Sequence, residues 1–205
     1  MIPSKDLVLG FDTSGPYCAA ALVQGDKLLV QTAEHMVKGQ AERLMGLLEE
    51  TLASADVAYH DLDAIGVGTG PGNFTGIRIA VSAARGLALG LDIPAVGIST
   101  FDALHYGTQG TCTTIVDARR GEFYVQSYDQ DGLPMAPSLK PRDQVENLVH
   151  PLIGSDWDAP RHPPAVAIAH LAMQRFHDVK SRPAPLYLRP ADAAPARDRG
   201  PRILL

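Results

Sequence analysis

Three short apolar runs open the chain. Leu7 to Phe11 ends at the turn cluster Asp12-Thr13-Ser14-Gly15-Pro16, Tyr17 to Val23 resumes as a strand, and Lys27 to Thr32 follows the turn Gln24-Gly25-Asp26. Short turns between three consecutive strands predict a meander. From Gln40 to Ala55 the period changes: Ala41, Leu44, Met45, Leu47, Leu48, Thr51, Leu52 and Ala55 cover one broad side, with Glu42, Arg43, Glu49, Glu50 and Ser54 opposite. That spacing predicts an amphipathic helix whose apolar arc is wider than one sheet contact requires. Asp63 to Gly68 reads as a strand, and Thr69-Gly70-Pro71-Gly72-Asn73-Phe74-Thr75-Gly76 as a glycine-rich turn. The helix predicted over Phe74 to Gly90 has only a narrow polar edge of Arg78, Ser82 and Arg85. A helix apolar nearly all round is buried on several sides, and in a thin domain one of those sides is expected to belong to another subunit. Pro94 to Ile98 is a further strand, and Ser99 to Tyr106 a short helix begun by a serine cap.

The rhythm then repeats. Thr113 to Val116 lead to Asp117, a turn at Ala118-Arg119-Arg120-Gly121, a strand from Glu122 to Tyr128 and a hairpin at Asp129 to Gly132, with Asp117 offset by 105 residues from Asp12. Lys140 to Leu148 and Pro164 to His177 are expected helices, separated by proline-rich stretches. The order β-β-β-α-β-α-β-α followed by a reduced copy indicates duplication. The expected fold class is α/β, of the ASKHA (actin/Hsp70-like, duplicated RNase H-like) kind, with two lobes that each open with a three-stranded meander. The predicted division is 1–108 for the first lobe with its dimerisation helices, 109–190 for the reduced second lobe and 191–205 for a basic, mobile tail.

With 205 residues, 45% of them hydrophobic and 20% charged, the chain reads as an ordinary globule. A chain of this size buries about 70% of its unfolded surface without needing disulfides. Its two cysteines, Cys18 and Cys112, stand among small and β-branched residues and are expected to be core thiols. The segment MIPSKDLVLGFDTS shows no secretory cleavage pattern, no run is long enough for a membrane span, and the expected location is the cytoplasm. A net charge of −5 argues against a free-standing nucleic-acid binder, although Lys180 to Leu205 carries six bases against Asp192 and Asp198.

Candidate chemistry is sparse. The loop Gly68 to Gly76 precedes a helix and so either cradles a phosphate through Gly70, Gly72, Thr75 and Gly76 or is a turn that needs glycine for its backbone. It is neither a P-loop nor a GxGxxG fingerprint, because no Gly-Lys-Ser/Thr follows and Asn73 replaces the third glycine. Asp12, Thr13 and Ser14 either orient a metal-bound phosphate or cap the turn. None of the seven histidines forms an i, i+4 pair, so no metal site is expected.

LGFDTS, GTGPGNFTGIRIAVSAARGLA, DARRGEFYV and the closing PLYLRP together resemble the TsaB (YeaZ) family. The resemblance implies a non-catalytic subunit for forming N6-threonylcarbamoyladenosine at tRNA position 37. It also implies a heterodimer with a TsaD-type (Kae1) catalytic paralogue, a TsaE-type ATPase in the larger assembly, tRNA reached through the complex, and a homodimer when alone. ATP and metal would be bound by those partners, with no cofactor of this chain's own. The paralogue's His-x-x-x-His metal pair falls here on Thr100 and Leu104, and a histidine common at the start of the first helix is Gln40. The chain is short for the family, which implies a trimmed second lobe. The expected partner surface is Leu44, Leu47, Leu48 and Thr51 on the first helix, with Ile77, Ala80, Val81, Ala84, Leu87 and Ala88 on the second. The rival readings are an ATP-dependent small-molecule kinase of the same architecture, using Asp12 and the glycine loop, and a metallopeptidase.

Overall fold

The computed structural model describes residues 5–189. The predicted tail 191–205 lies outside them. Strands β1 (Leu7–Asp12), β2 (Tyr17–Gln24) and β3 (Lys27–His35) form the expected antiparallel meander. Helix α1 (Gln40–Ala53) then returns the chain to β4 (Ala64–Gly68), parallel to β1. Helix α2 (Phe74–Leu91) does the same for β5 (Ala95–Ile98), giving a five-stranded sheet of order β3-β2-β1-β4-β5. A short α3 (Thr100–His105) leads out, its first turn capped by Ser99 Oγ, which accepts from the Asp102 amide.

The second sheet repeats the plan. β6 (Cys112–Asp117), β7 (Glu122–Tyr128) and β8 (Ser138–Pro141) form a meander, one-turn α4 (Arg142–Val145) follows, and β9 (Leu152–Gly154) pairs parallel to β6 in the order β8-β7-β6-β9. Strands β1 and β6 have the same length, and both end in aspartate. Each aspartate Oδ1 accepts from the amide two residues on, Ser14 after Asp12 and Arg119 after Asp117. The helix expected over Lys140 to Leu148 is corrected: Lys140 and Pro141 finish β8, and only one helical turn succeeds them.

Side chains alternate across the first sheet. Leu9, Phe11, Cys18, Ala20, Leu22, Ile65 and Val67 meet α1 and α2, while Val8, Ala19, Ala21, Val23 and Ala64 face the other way. That second face is covered by α5 (Pro164–Arg175), buried through Ala165, Val166, Ala167, Ile168, Ala169, Leu171 and Ala172. The helix crosses back from the second half of the sequence onto the first sheet. Leu104 of α3 packs with Cys112, Tyr128 and Ile153 of the second sheet, whose far side holds Ile115, Phe123, Val125 and Trp157 under α4. The layers therefore run α1/α2, first sheet, α5/α3, second sheet, α4. Among the described residues, α2 is the one helix long and apolar enough to cross a membrane. Five of its residues are buried against the sheet, and Arg78 and Arg85 stand on its outer side.

Residues 179–189 close the molecule as a strap. Pro183 packs against Gly97 of β5, the Leu186 amide donates to the Thr69 carbonyl at 2.8 Å, and Tyr187 stacks on Phe74 with ring centroids 4.9 Å apart. Arg189 ends it with an ion pair to Glu122 on β7, so the strap ties the first sheet's glycine loop to the second sheet.

Candidate functional site

The glycine loop and the Asp12 turn are joined by hydrogen bonds into one unit, and the loop's Gly72, Asn73, Phe74 and Thr75 border a cavity of about 330 Å³ shared with Asp117, Ala118, Arg119 and Tyr124. Asp12, 1% exposed, accepts from the Ser14 amide (2.9 Å), the Ser14 hydroxyl (2.8 Å) and the Tyr17 hydroxyl (2.7 Å). Thr13 Oγ1 donates to the Gly76 carbonyl at 2.7 Å, and the Asn73 amide donates to the Ser14 carbonyl at 2.7 Å. Asn73 caps α2, its Oδ1 accepting from the Gly76 amide. A Cβ on Gly76 would strike the Thr13 carbonyl oxygen, and one on Gly72 the Ser14 carbonyl oxygen. These glycines therefore permit backbone to lie against backbone. Gly70 has φ +88° and its carbonyl accepts from the Thr100 amide. Thr75 is exposed at the rim. Burial, and next the Asp12 carboxylate, hold the Tyr17 phenol well above its ordinary pKa, so it stays a donor.

Thr100 and Leu104, where the resemblance would put a metal-binding histidine pair, do other work. Thr100 Oγ1 donates to the Pro71 carbonyl at 2.8 Å, and Leu104 is buried under the second sheet. His105 stacks flat on Tyr128 at 3.9 Å with Nε2 buried, and burial lowers its pKa. Among the described residues, no cluster of three His, Cys, Asp or Glu could hold a metal. Gln40 is buried at the start of α1, its Nε2 donating to the Met36 carbonyl.

The expected partner surface needs correcting residue by residue. Leu44, Leu47, Leu48, Thr51, Ile77, Ala80, Val81 and Ala84 are all buried against the chain's own sheet, and Leu87 and Ala88 are half-buried. Of these ten residues, only Leu44 also borders the outer cleft between α1 and α2. The helices are nevertheless open on their outer side, since the sequence-distant α5 covers the opposite face of the sheet. There a furrow of about 520 Å³ runs between α1 and α2, bounded by Ala41, Met45, Phe74, Arg78, Ile79 and Ala83. Met45 is 39% and Leu89 75% exposed, and a Cβ at Gly86 or Gly90 would meet no neighbouring atom. Sequence periodicity put Ala41 and Met45 on the wide apolar arc of α1 but could not tell which part of that arc the sheet claims. The signal that marked the open face was the lack of a full polar side on α2.

Two α/β units that share one strand order and the same aspartate turn define an ASKHA protein of the actin-like class. The family described as "TsaD: tRNA N6-adenosine threonylcarbamoyltransferase" matches residues 33–145, more than half of the chain. The Escherichia coli protein TsaB, a tRNA threonylcarbamoyladenosine biosynthesis protein, is 32% identical over 60% of this chain and 55% of its own length. Rv3421c of Mycobacterium tuberculosis, uncharacterized, is 31% identical over 92% of this chain and 94% of its own. YeaZ from Pseudomonas aeruginosa superposes with a TM-score of 0.72 at 26% identity, covering 89% of this chain and all of that one. The chain belongs to the TsaB (YeaZ) family. It spans about half the length of the TsaB relatives from E. coli and Bacillus subtilis that it matches.

Proposed function

We propose that this chain is a non-catalytic subunit that docks the outer side of α1 and α2 onto a TsaD-type transferase. A TsaE-type ATPase joins the pair in the cytoplasm, and the assembly forms threonylcarbamoyladenosine at tRNA position 37. Free of that partner, the chain pairs with a second copy through the same helices. The observation that carries the reading is the uncovered furrow between α1 and α2, with Met45 exposed in its wall and Gly86 open further along α2. Small residues there let a partner helix approach closely, and a stable contact needs roughly 800 Å² from each side. ATP and metal belong to the partner subunits in this reading. Asp12 already accepts three hydrogen bonds, and Thr13 and Ser14 carbonyls press on the glycines, which fits a turn better than a phosphate site.

The test is co-purification with the TsaD-type protein of the same organism, followed by threonylcarbamoyl transfer to tRNA with and without this chain. Met45→Glu and Ile79→Glu should abolish co-elution while the circular dichroism spectrum stays native. Ala84→Glu, at a fully buried position, would instead unfold the chain and is uninformative about docking. Undiminished co-elution of a folded Met45→Glu/Ile79→Glu protein would overturn the placement. Calorimetric binding of ATP by the isolated chain at micromolar affinity would favour the kinase reading instead.

A further inference from the structure

Six of the described arginines make a contrast. Arg43, Arg142, Arg175 and Arg189 are each bonded to a carboxylate of the chain itself. Arg85 and Arg182, joined by Lys180, are held by no hydrogen bond or ion pair among the described residues, and all three line one cavity of about 320 Å³. It lies where the last turns of α2 and the edge strand β5 meet the start of the strap. Asp92 is the one carboxylate in its wall, and Ser181 adds a hydroxyl. Three cations thus face one anion on a chain whose overall charge is −5. Complementing the α2 macrodipole does not explain them: that effect fades within the last turn, Arg85 stands well before it, and Lys180 and Arg182 are outside the helix.

We infer that this cavity binds the phosphodiester backbone of RNA. Two guanidiniums and an ammonium converging on a concavity can hold adjacent phosphate oxygens, with guanidinium forks giving paired N–H donors. The apolar floor between α2 and the strap suits a ribose edge. An acidic protein surface would need a broader, flatter array of cations. The location also fits. Arg85 lies two turns along α2 from Arg78 of the furrow, and no residue lines both the furrow and the cavity, so a partner seated around Met45 and Ile79 leaves the cavity open further along the helix. This inference rests on the proposed role only in naming tRNA as the RNA concerned.

The experiment titrates fluorescent tRNA with the full chain, alone and with its TsaD-type partner, across a series of salt concentrations, comparing wild type with Arg85→Gln/Lys180→Gln/Arg182→Gln. Each lost phosphate contact lowers the slope of log K against log salt by about 0.7 to 0.9, so a decrease of about 2 is expected. Native circular dichroism and unchanged partner co-elution show that fold and docking survive. An unchanged slope and affinity in the triple variant overturn the inference. So does a variant that loses binding of inorganic phosphate or a nucleoside monophosphate but keeps tRNA binding, which would mark a small-anion site. If wild type fails to bind the partner, the scaffold reading falls while titration of the isolated chain still decides this one.

Discussion

Asp12 shows what a single residue settles. It is a carboxylate buried at a strand end, and it can be read as a metal-phosphate ligand or as the knot of a turn. Its three acceptor bonds to Ser14 and Tyr17 favour the knot. Replacement by alanine strands two hydroxyls and an amide in the interior, at about 1 to 3 kcal/mol for an unsatisfied buried group. Asp12→Ala should therefore lose about 3 kcal/mol or more in chemical denaturation, and Asp12→Asn distinctly less, because its amide oxygen still accepts. Equal losses would contradict the turn role.

Two histidines bear on pH. Burial lowers the pKa of His105 against the opposing pull of Asp102; burial and then His162 lower that of His170 against Asp26. Both folded values lie below the unfolded one, so the unfolded chain binds more protons in between. The stabilising contribution is complete above the ordinary histidine pKa of about 6.5 and drains as pH falls toward the folded values. Thermal unfolding should come at a lower temperature at pH 5 than at pH 7.5, and His105→Phe should narrow the gap. No narrowing would show that His105 is not among the groups responsible.

At the scale of elements, the glycines inside strands find their reason in a helix remote in sequence. A Cβ on Gly10 would lie 2.5 Å from the Ala169 amide nitrogen, and one on Gly66 would lie 2.7 Å from the Ala172 Cβ. Small residues on α5 thus seat its backbone directly on β1 and β4. Gly10→Ala should cost about 1 to 3 kcal/mol through overpacking, measured by urea unfolding. A neutral effect would mean that α5 shifts freely on the sheet. This pairing was not legible in the sequence, where α5 reads as part of the second lobe. Periodicity reports which residues seek burial but not against what. For the same reason the inner arcs of α1 and α2 read as partner surface: Leu47 and Ala84 were rightly marked as apolar, and their own sheet claimed them. The meander, the glycine loop and the 105-residue repeat were legible because turn chemistry is local. β8 and β9 escaped, being four and three residues long between prolines and loops.

At the scale of the whole molecule, the two sheets are expected to unfold as one cooperative unit. α3 and α5 fill the layer between them, and the strap adds the Phe74–Tyr187 stack and the Arg189–Glu122 pair. The single tryptophan, Trp157, packs edge-on against Phe123 in the second half and so reports that half by fluorescence. Its denaturation curve should coincide with that from circular dichroism, and Tyr187→Ala should shift both together by about 1 kcal/mol. Separated midpoints would show halves that melt independently.

The strap has a further meaning for how the molecule meets others. Two lobes of an actin-like fold can swing about the cleft between them, and here residues 179–189 lace one sheet to the other. In the proposed docking role, a partner would meet a flank that such lacing holds in shape, and would spend little free energy on reshaping it. Association on such a flank is governed by orientation at encounter, and its strength is tuned through residence time.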